Sequence, residues 1–144
     1  MNTQAKRFLI VEKSKDIIKN LTKENLRKAI GGIFMTKKLN EDFIYLKDMY
    51  NDDYYPKFLV DKVKDCIVEV VDFLEKEEYE DLEEVQEKLD EMTEKINNLQ
   101  DEFDENDSEI ETVARDSIGV TVEKILEYFG IDIDIEEAIR ERDW

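Results

Sequence analysis

From residue 40 onward, apolar residues return at steps of three and four with polar residues between them, the period of helices that bury one face. Asn40 stands as the N-cap of a short helix carrying Phe43, Leu46, Met49 and Tyr50, and the Asn51-Asp52-Asp53 cluster breaks it. Pro56 suits the first turn of the next helix, because its missing N–H would have no partner there in any case. Leu59, Val63, Cys66, Ile67, Val70 and Leu74 then form a core-facing stripe of about five turns.

The polar stretch from Glu75 to Glu80 predicts a turn, and Asp81 with Glu84 has the spacing of a capping box. Leu82, Val85, Leu89, Met92, Ile96, Leu99 and Phe103 alternate three- and four-residue steps, the strongest seam in the chain. Its flanking positions include Gln86, Thr93 and Gln100, not a run of complementary charges, so the seam predicts packing within a bundle. Left exposed, the same seam would predict self-association. Ser108 and Glu111 repeat the capping-box spacing before Ile110, Ala114, Ile118, Val122, Ile125 and Phe129, and Gly130 is placed as the C′ residue ending that helix. Asp134 and Glu137 open a short closing helix with Ile135, Ala138 and Ile139. The expected fold is all-α, a helical bundle of about four main helices with short flanking helices.

Four glycines and one proline in 144 residues agree with long helices and few turns, and this length fits one domain with its own core. The formal charge of −18 opposes binding to nucleic acid, whose phosphates need clustered Lys and Arg, and would steer a basic protein partner toward the chain. The charge is uneven. Residues 1–34 hold eight Lys and Arg against three Asp and Glu, a balance of +5, which leaves −23 for residues 35–144. Two segments follow: a basic N-terminal extension over 1–34 and an acidic helical domain over 35–144.

Ile10, Ile17, Ile18 and Leu21 give the extension an amphipathic pattern interrupted by Ser14, suited to a membrane surface, a partner's groove or the acidic body itself. A further reading is a mis-assigned start. Gly31-Gly32-Ile33-Phe34-Met35 can be encoded by GGA-GGT-ATT-TTT-ATG, a bacterial ribosome-binding sequence at a suitable distance before a start codon, so Met35 is a candidate native first residue. No apolar stretch approaches the ~20 residues of a membrane span, Phe8 to Val11 is too short for a signal peptide, and one cysteine cannot make an internal disulfide. A cytoplasmic location is expected.

Histidine is absent, which removes the commonest general base near neutral pH, nucleophile pairs that rely on it, and Glu-x-x-His metal pairs. Cys66 lies on an apolar stripe, where a thiol behaves as a small core residue. Asp101 to Thr112 and Asp132 to Asp143 fail as calcium loops, since Asn106 and Glu137 stand where the turn glycine belongs. Gly31-Gly32 stands alone and makes no phosphate loop. No catalytic residue, metal site or cofactor is assigned, and the reading leans against an enzyme.

Two polar constellations remain. Thr93, Asn97 and Gln100 line one side of the seam helix and, with Glu111 and Arg115 of the next, could border an interhelical pocket in which Arg115 holds an anion. The plainer reading is a hydrogen-bonded border to the core. Tyr45, Tyr50, Tyr54 and Tyr55, with Asp52, Asp53 and Asp61, form a candidate interaction surface, because tyrosine offers rigid contact area with a polar tip. Its plainer reading is a cover over the bundle end.

Tyr45-Leu46-Lys47-Asp48-Met49-Tyr50, the run from Tyr54 to Lys62, and the run from Ser108 to Arg115 resemble segments of a bacterial family of unknown function. The resemblance covers roughly residues 43–144, including Arg142-Asp143-Trp144, and implies that the segment before Met35 lies outside the shared domain. It implies no activity, cofactor or catalytic residue. The function expected from the residues is a non-enzymatic, acidic protein-interaction domain, in its most concrete form an immunity or antitoxin-like protein that masks a basic toxin. The alternative is a small-ligand-binding or enzymatic bundle that uses the polar pocket.

Overall fold

The stripe that begins at Leu59 becomes a 20-residue helix. A computed structural model describes residues 37–144, so the amphipathic reading of the basic extension and the candidate start at Met35 lie outside the described residues. Within them the chain is all-α: α1 (Lys47–Tyr50), α2 (Lys57–Lys76), α3 (Leu82–Asn97), α4 (Gln100–Glu105), α5 (Thr112–Tyr128) and α6 (Ile135–Ala138).

Helices α2 and α3 form the frame. Lys62 of α2 pairs with Glu102 of α4 at 2.8 Å and Glu69 of α2 with Lys95 of α3 at 2.7 Å, so the cross-links run in opposite order along α2 and the α3–α4 run and mark an antiparallel register. Between them lie Leu59, Val63, Ile67, Val70 and Leu74 of α2 and Val85, Leu89, Met92 and Ile96 of α3, all nearly inaccessible to water. The seam is therefore used inside the bundle, as its flanking residues indicated, and does not present a free face for self-association. Helix α5 closes the core with Ala114, Ile118, Val122, Ile125 and Leu126.

Several ends follow the expected chemistry. Asp81 caps α3 by accepting from the Glu84 N–H at 3.0 Å, while the Glu84 carboxylate reaches back to the Glu80 N–H at 2.6 Å. Gly130 ends α5 at φ 67°, with its N–H bonded to Glu127 and that of Ile131 to Leu126, the paired bonds of a Schellman motif. Asp107 does the same for α4 without being glycine: its φ is 56°, its N–H bonds to Asp104, and that of Ser108 bonds to Phe103.

Four expectations are corrected. The helix from Asn40 shrinks to α1, because Leu46 takes a left-handed conformation at φ 51° and leaves Phe43 in a separate turn bonded to Asn40. The helix from Leu82 to Phe103 breaks at Asn98-Leu99, where the Leu99 N–H bonds three residues back to Ile96 in a tightened turn. Ser108 and Glu111 form no capping box: Ser108 belongs to the preceding Schellman turn, and α5 starts at Thr112 with no side-chain cap from Glu111. Asp134 caps α6, but through the Glu136 N–H, and Glu137 turns to Arg140.

Candidate functional site

The tyrosine end is built where α1, the start of α2 and the start of α5 meet. Of the four candidate tyrosines, Tyr50, Tyr54 and Tyr55 lie there and do different work, while Tyr45 lies farther along α2, near Lys64, Asp72 and Glu75. Tyr55 is 1% exposed; its hydroxyl donates to Glu111 Oε1 at 3.1 Å and accepts from the Ala114 N–H at 3.2 Å, tying α2's approach to α5's first turn. Burial, then the bond to Glu111, pushes its phenol up to about 12. Tyr50 is half-buried and donates to Asp61 at 2.6 Å, and burial with that bond raises its phenol well above the ordinary value. Tyr45 packs edge-on to Phe43 at 5.0 Å with the Lys64 ammonium 5.1 Å from its ring centre.

Tyr54 is the outward one. It is 42% exposed, stacks edge-on against Tyr55 at 5.0 Å, and is positioned by the Asp52 carboxylate, which accepts from its N–H at 2.9 Å. Partial desolvation, then the charges of Glu109 and Glu111, raise its phenol. Asp53 is exposed. Two apolar neighbours complete the end: Phe58 in the first turn of α2 at 51% exposure and Val113 in the first turn of α5 at 39%. The candidate surface thus divides: Tyr45, Tyr50 and Tyr55 are packed, the half-buried Asp52 and the exposed Asp61 hold Tyr54 and Tyr50 in place, and Tyr54 and Asp53 face out.

The second constellation is drawn together differently. Thr93 is fully buried and donates to the Leu89 carbonyl at 2.8 Å, a local bond along its own helix. Asn97 donates to the Glu141 carbonyl at 2.8 Å and accepts from the Asp143 N–H at 3.2 Å, and Gln100 donates to the Asp143 carboxylate. Arg115 donates through Nε to the Trp144 backbone oxygen at 3.1 Å, and the Trp144 ring is buried. Glu111 belongs to the tyrosine end through Tyr55. The polar atoms of Asn97, Gln100 and Arg115 therefore fasten residues 141–144 to the bundle.

Cys66 is half-buried, and burial followed by the charge of Glu69 pushes its thiol up to about 11, the opposite of what an activated nucleophile needs. Among the described residues no group of three or more Cys, Asp or Glu side chains is placed to hold a metal ion, and no helix is long and apolar enough to cross a membrane.

A family model described as a family of unknown function (DUF5713) matches residues 39–144. The chain belongs to that family. Searches of curated proteins and of solved structures found no match. The DUF5713 match spans both the tyrosine end and the fastened C-terminal residues. Phe58 and Val113 are the functional candidates within it that the stripes do not single out. Each sits one residue off its helix's buried stripe, beside Leu59 and Ala114, and a large apolar residue just outside the stripe was the available signal.

Proposed function

We propose that this domain is a non-enzymatic, cytoplasmic protein-interaction module that docks a basic partner on its tyrosine end. One observation carries the reading: Tyr54 and Phe58 remain 42% and 51% exposed on a frame whose neighbouring aromatic, Tyr55, is buried and hydrogen-bonded. Rigid aromatic area of this kind loses little conformational entropy on binding. The half-buried Asp52 and the exposed acids Asp53, Glu109 and Glu111 around it, on a body of charge −23 over residues 35–144, favour a partner surface rich in Lys and Arg by steering its approach. An immunity or antitoxin-like protein that covers a basic toxin is the concrete form of this reading.

A photo-crosslinking amino acid placed at Phe58 tests it in cells that make the protein, with Glu94 on the exposed face of α3 as the control position. The expected product is one basic protein, captured at position 58 and not at 94, and lost when Asp52→Asn and Asp53→Asn are combined. Equal capture at the two positions, or an acidic partner, overturns the proposal.

A further inference from the structure

Helix α5 carries apolar residues on two sides. Ala114, Ile118, Val122 and Ile125 enter the core, while Val120 remains 49% exposed on the opposite face. Ile44, in the segment before α1, is 66% exposed. It shares with Val120 a hollow of about 270 Å³ whose other walls include Lys47, Ser117 and Lys124. Single surface aliphatics are ordinary, but these two adjoin across one hollow and leave a joint apolar face in water. The seam of α3 is consumed inside the bundle, so this face of α5 is a separate surface.

The charges beside Val120 state what occupant fits. Val120 is the midpoint of α5, with Asp116 one turn before it and Lys124 one turn after it on the same face. Both are exposed, and neither forms an ion pair among the described residues. Other cations of the helices are spent on carboxylates of the fold, as Lys62 is on Glu102, Lys95 on Glu69 and Arg140 on Asp90. A uniformly basic partner would suit Asp116 and be repelled at Lys124, and a uniformly acidic one would meet the reverse. A second copy of α5, antiparallel about a two-fold axis at Val120, suits both, because the axis brings Lys124 of each copy level with Asp116 of the other. The same axis stacks Val120 on its own copy, sets the two Ile44 side chains on one edge and overlaps α5 along its full length. Parallel pairing would set like charge against like. Glu123 falls on the edge taken by Asp116 of the other copy and opposes it, which keeps the association weak.

We propose that the exposed face of α5 is a self-association surface on which two copies of this chain pair antiparallel, Val120 and Ile44 at the centre and Asp116 of each copy paired with Lys124 of the other. The pairing uses neither Tyr54 nor Phe58, so it does not depend on docking at the tyrosine end. Two chains of charge −18 repel at long range, but at about 0.15 M salt the Debye length of ~8 Å screens the bodies more than the contact pairs. A small apolar centre with two ion pairs makes a reversible dimer.

Sedimentation equilibrium of the full chain tests it at about 0.15 M salt, over protein concentrations from about 10 μM to about 1 mM. A reversible monomer–dimer equilibrium is expected. Val120→Asp, at an exposed position, should remain monomeric throughout the range. Lys124→Asp should weaken the dimer by about tenfold, because it sets like charges opposite each other on both sides of the axis. Adding Asp116→Lys to it restores the opposite-charge pairs, so this double variant should return to within about threefold of the original dissociation constant or bind more tightly. Adding Glu94→Lys instead gives the same net charge at a distance from α5 and should leave the dimer weak. Tyr54→Ser with Phe58→Ser should dimerise like the original chain. Helical circular dichroism, expected to be unchanged in every variant, separates a lost contact from a lost fold. A monomer over the whole range, a dimer indifferent to Val120→Asp, or a recovery that Glu94→Lys gives as well as Asp116→Lys overturns the pairing.

Discussion

The tyrosine end and the C-terminal attachment begin as similar patterns, a few uncharged polar side chains beside acids, and end in opposite conditions. At the C-terminal attachment, Asn97, Gln100 and Arg115 turn their polar atoms onto residues 141–144 and bring Trp144 into the core. At the tyrosine end, Tyr55 consumes its hydroxyl internally while Tyr54 and Phe58 keep apolar surface in water. A polar group satisfied inside the fold contributes stability and has nothing left to offer a partner. An aromatic held in water by a rigid neighbour contributes little stability and keeps its burial energy for binding.

Tyr55 carries the largest expected effect. Replacing it by Ala empties a fully packed site and frees the Ala114 N–H and Glu111, so urea unfolding should show a loss of about 3–5 kcal/mol; a loss under ~1 kcal/mol would mean that the end is not pinned there. The same residue gives a pH dependence. Its folded-state value near 12 exceeds the ordinary phenol value of about 10, so the associated stability is fully present below pH 10 and disappears as pH rises through 12. The expected loss is on the order of 2 kcal/mol. Because Tyr50 is raised too, the measurement is the difference between the original chain and Tyr55→Phe, whose alkaline loss should be smaller.

Asn97→Ala sharpens the other side. Losing its bonds to Glu141 and Asp143 should cost about 1–2 kcal/mol and speed hydrogen exchange at the Asp143 amide; unchanged exchange would show that Trp144 alone holds the segment. The smallest effect belongs to Tyr54→Ser with Phe58→Ser. Unfolding should move by no more than about 0.5 kcal/mol for each exposed position, whereas crosslinking next to them should fail. A large stability loss there would turn the exposed pair into a structural element.

The helices were legible wherever a stripe ran for several turns. Leu59 to Leu74, Val85 to Ile96 and Ala114 to Phe129 bury the faces their spacing predicts, and Asp81, Glu84 and Gly130 stand at the ends their side chains specify. Short pieces were not. Nothing local marks Leu46 for φ 51°; its N–H bonds to Thr121 of α5 at 3.0 Å, a partner 75 residues away. The break at Asn98-Leu99 likewise follows a helix whose last side chain, Asn97, is held by the distant residues Glu141 and Asp143.

Periodicity and composition determined by themselves that this is an acidic helical bundle without histidine, because both are read directly from the order and kinds of residues in the chain. Tertiary structure alone decided which of the marked polar and aromatic residues remain available. Whether Thr93 bonds its own helix, Arg115 meets Trp144 or Gln86 is left with an orphan oxygen depends on which atoms packing brings within hydrogen-bonding reach, and that is set by partners from 4 to 51 residues away.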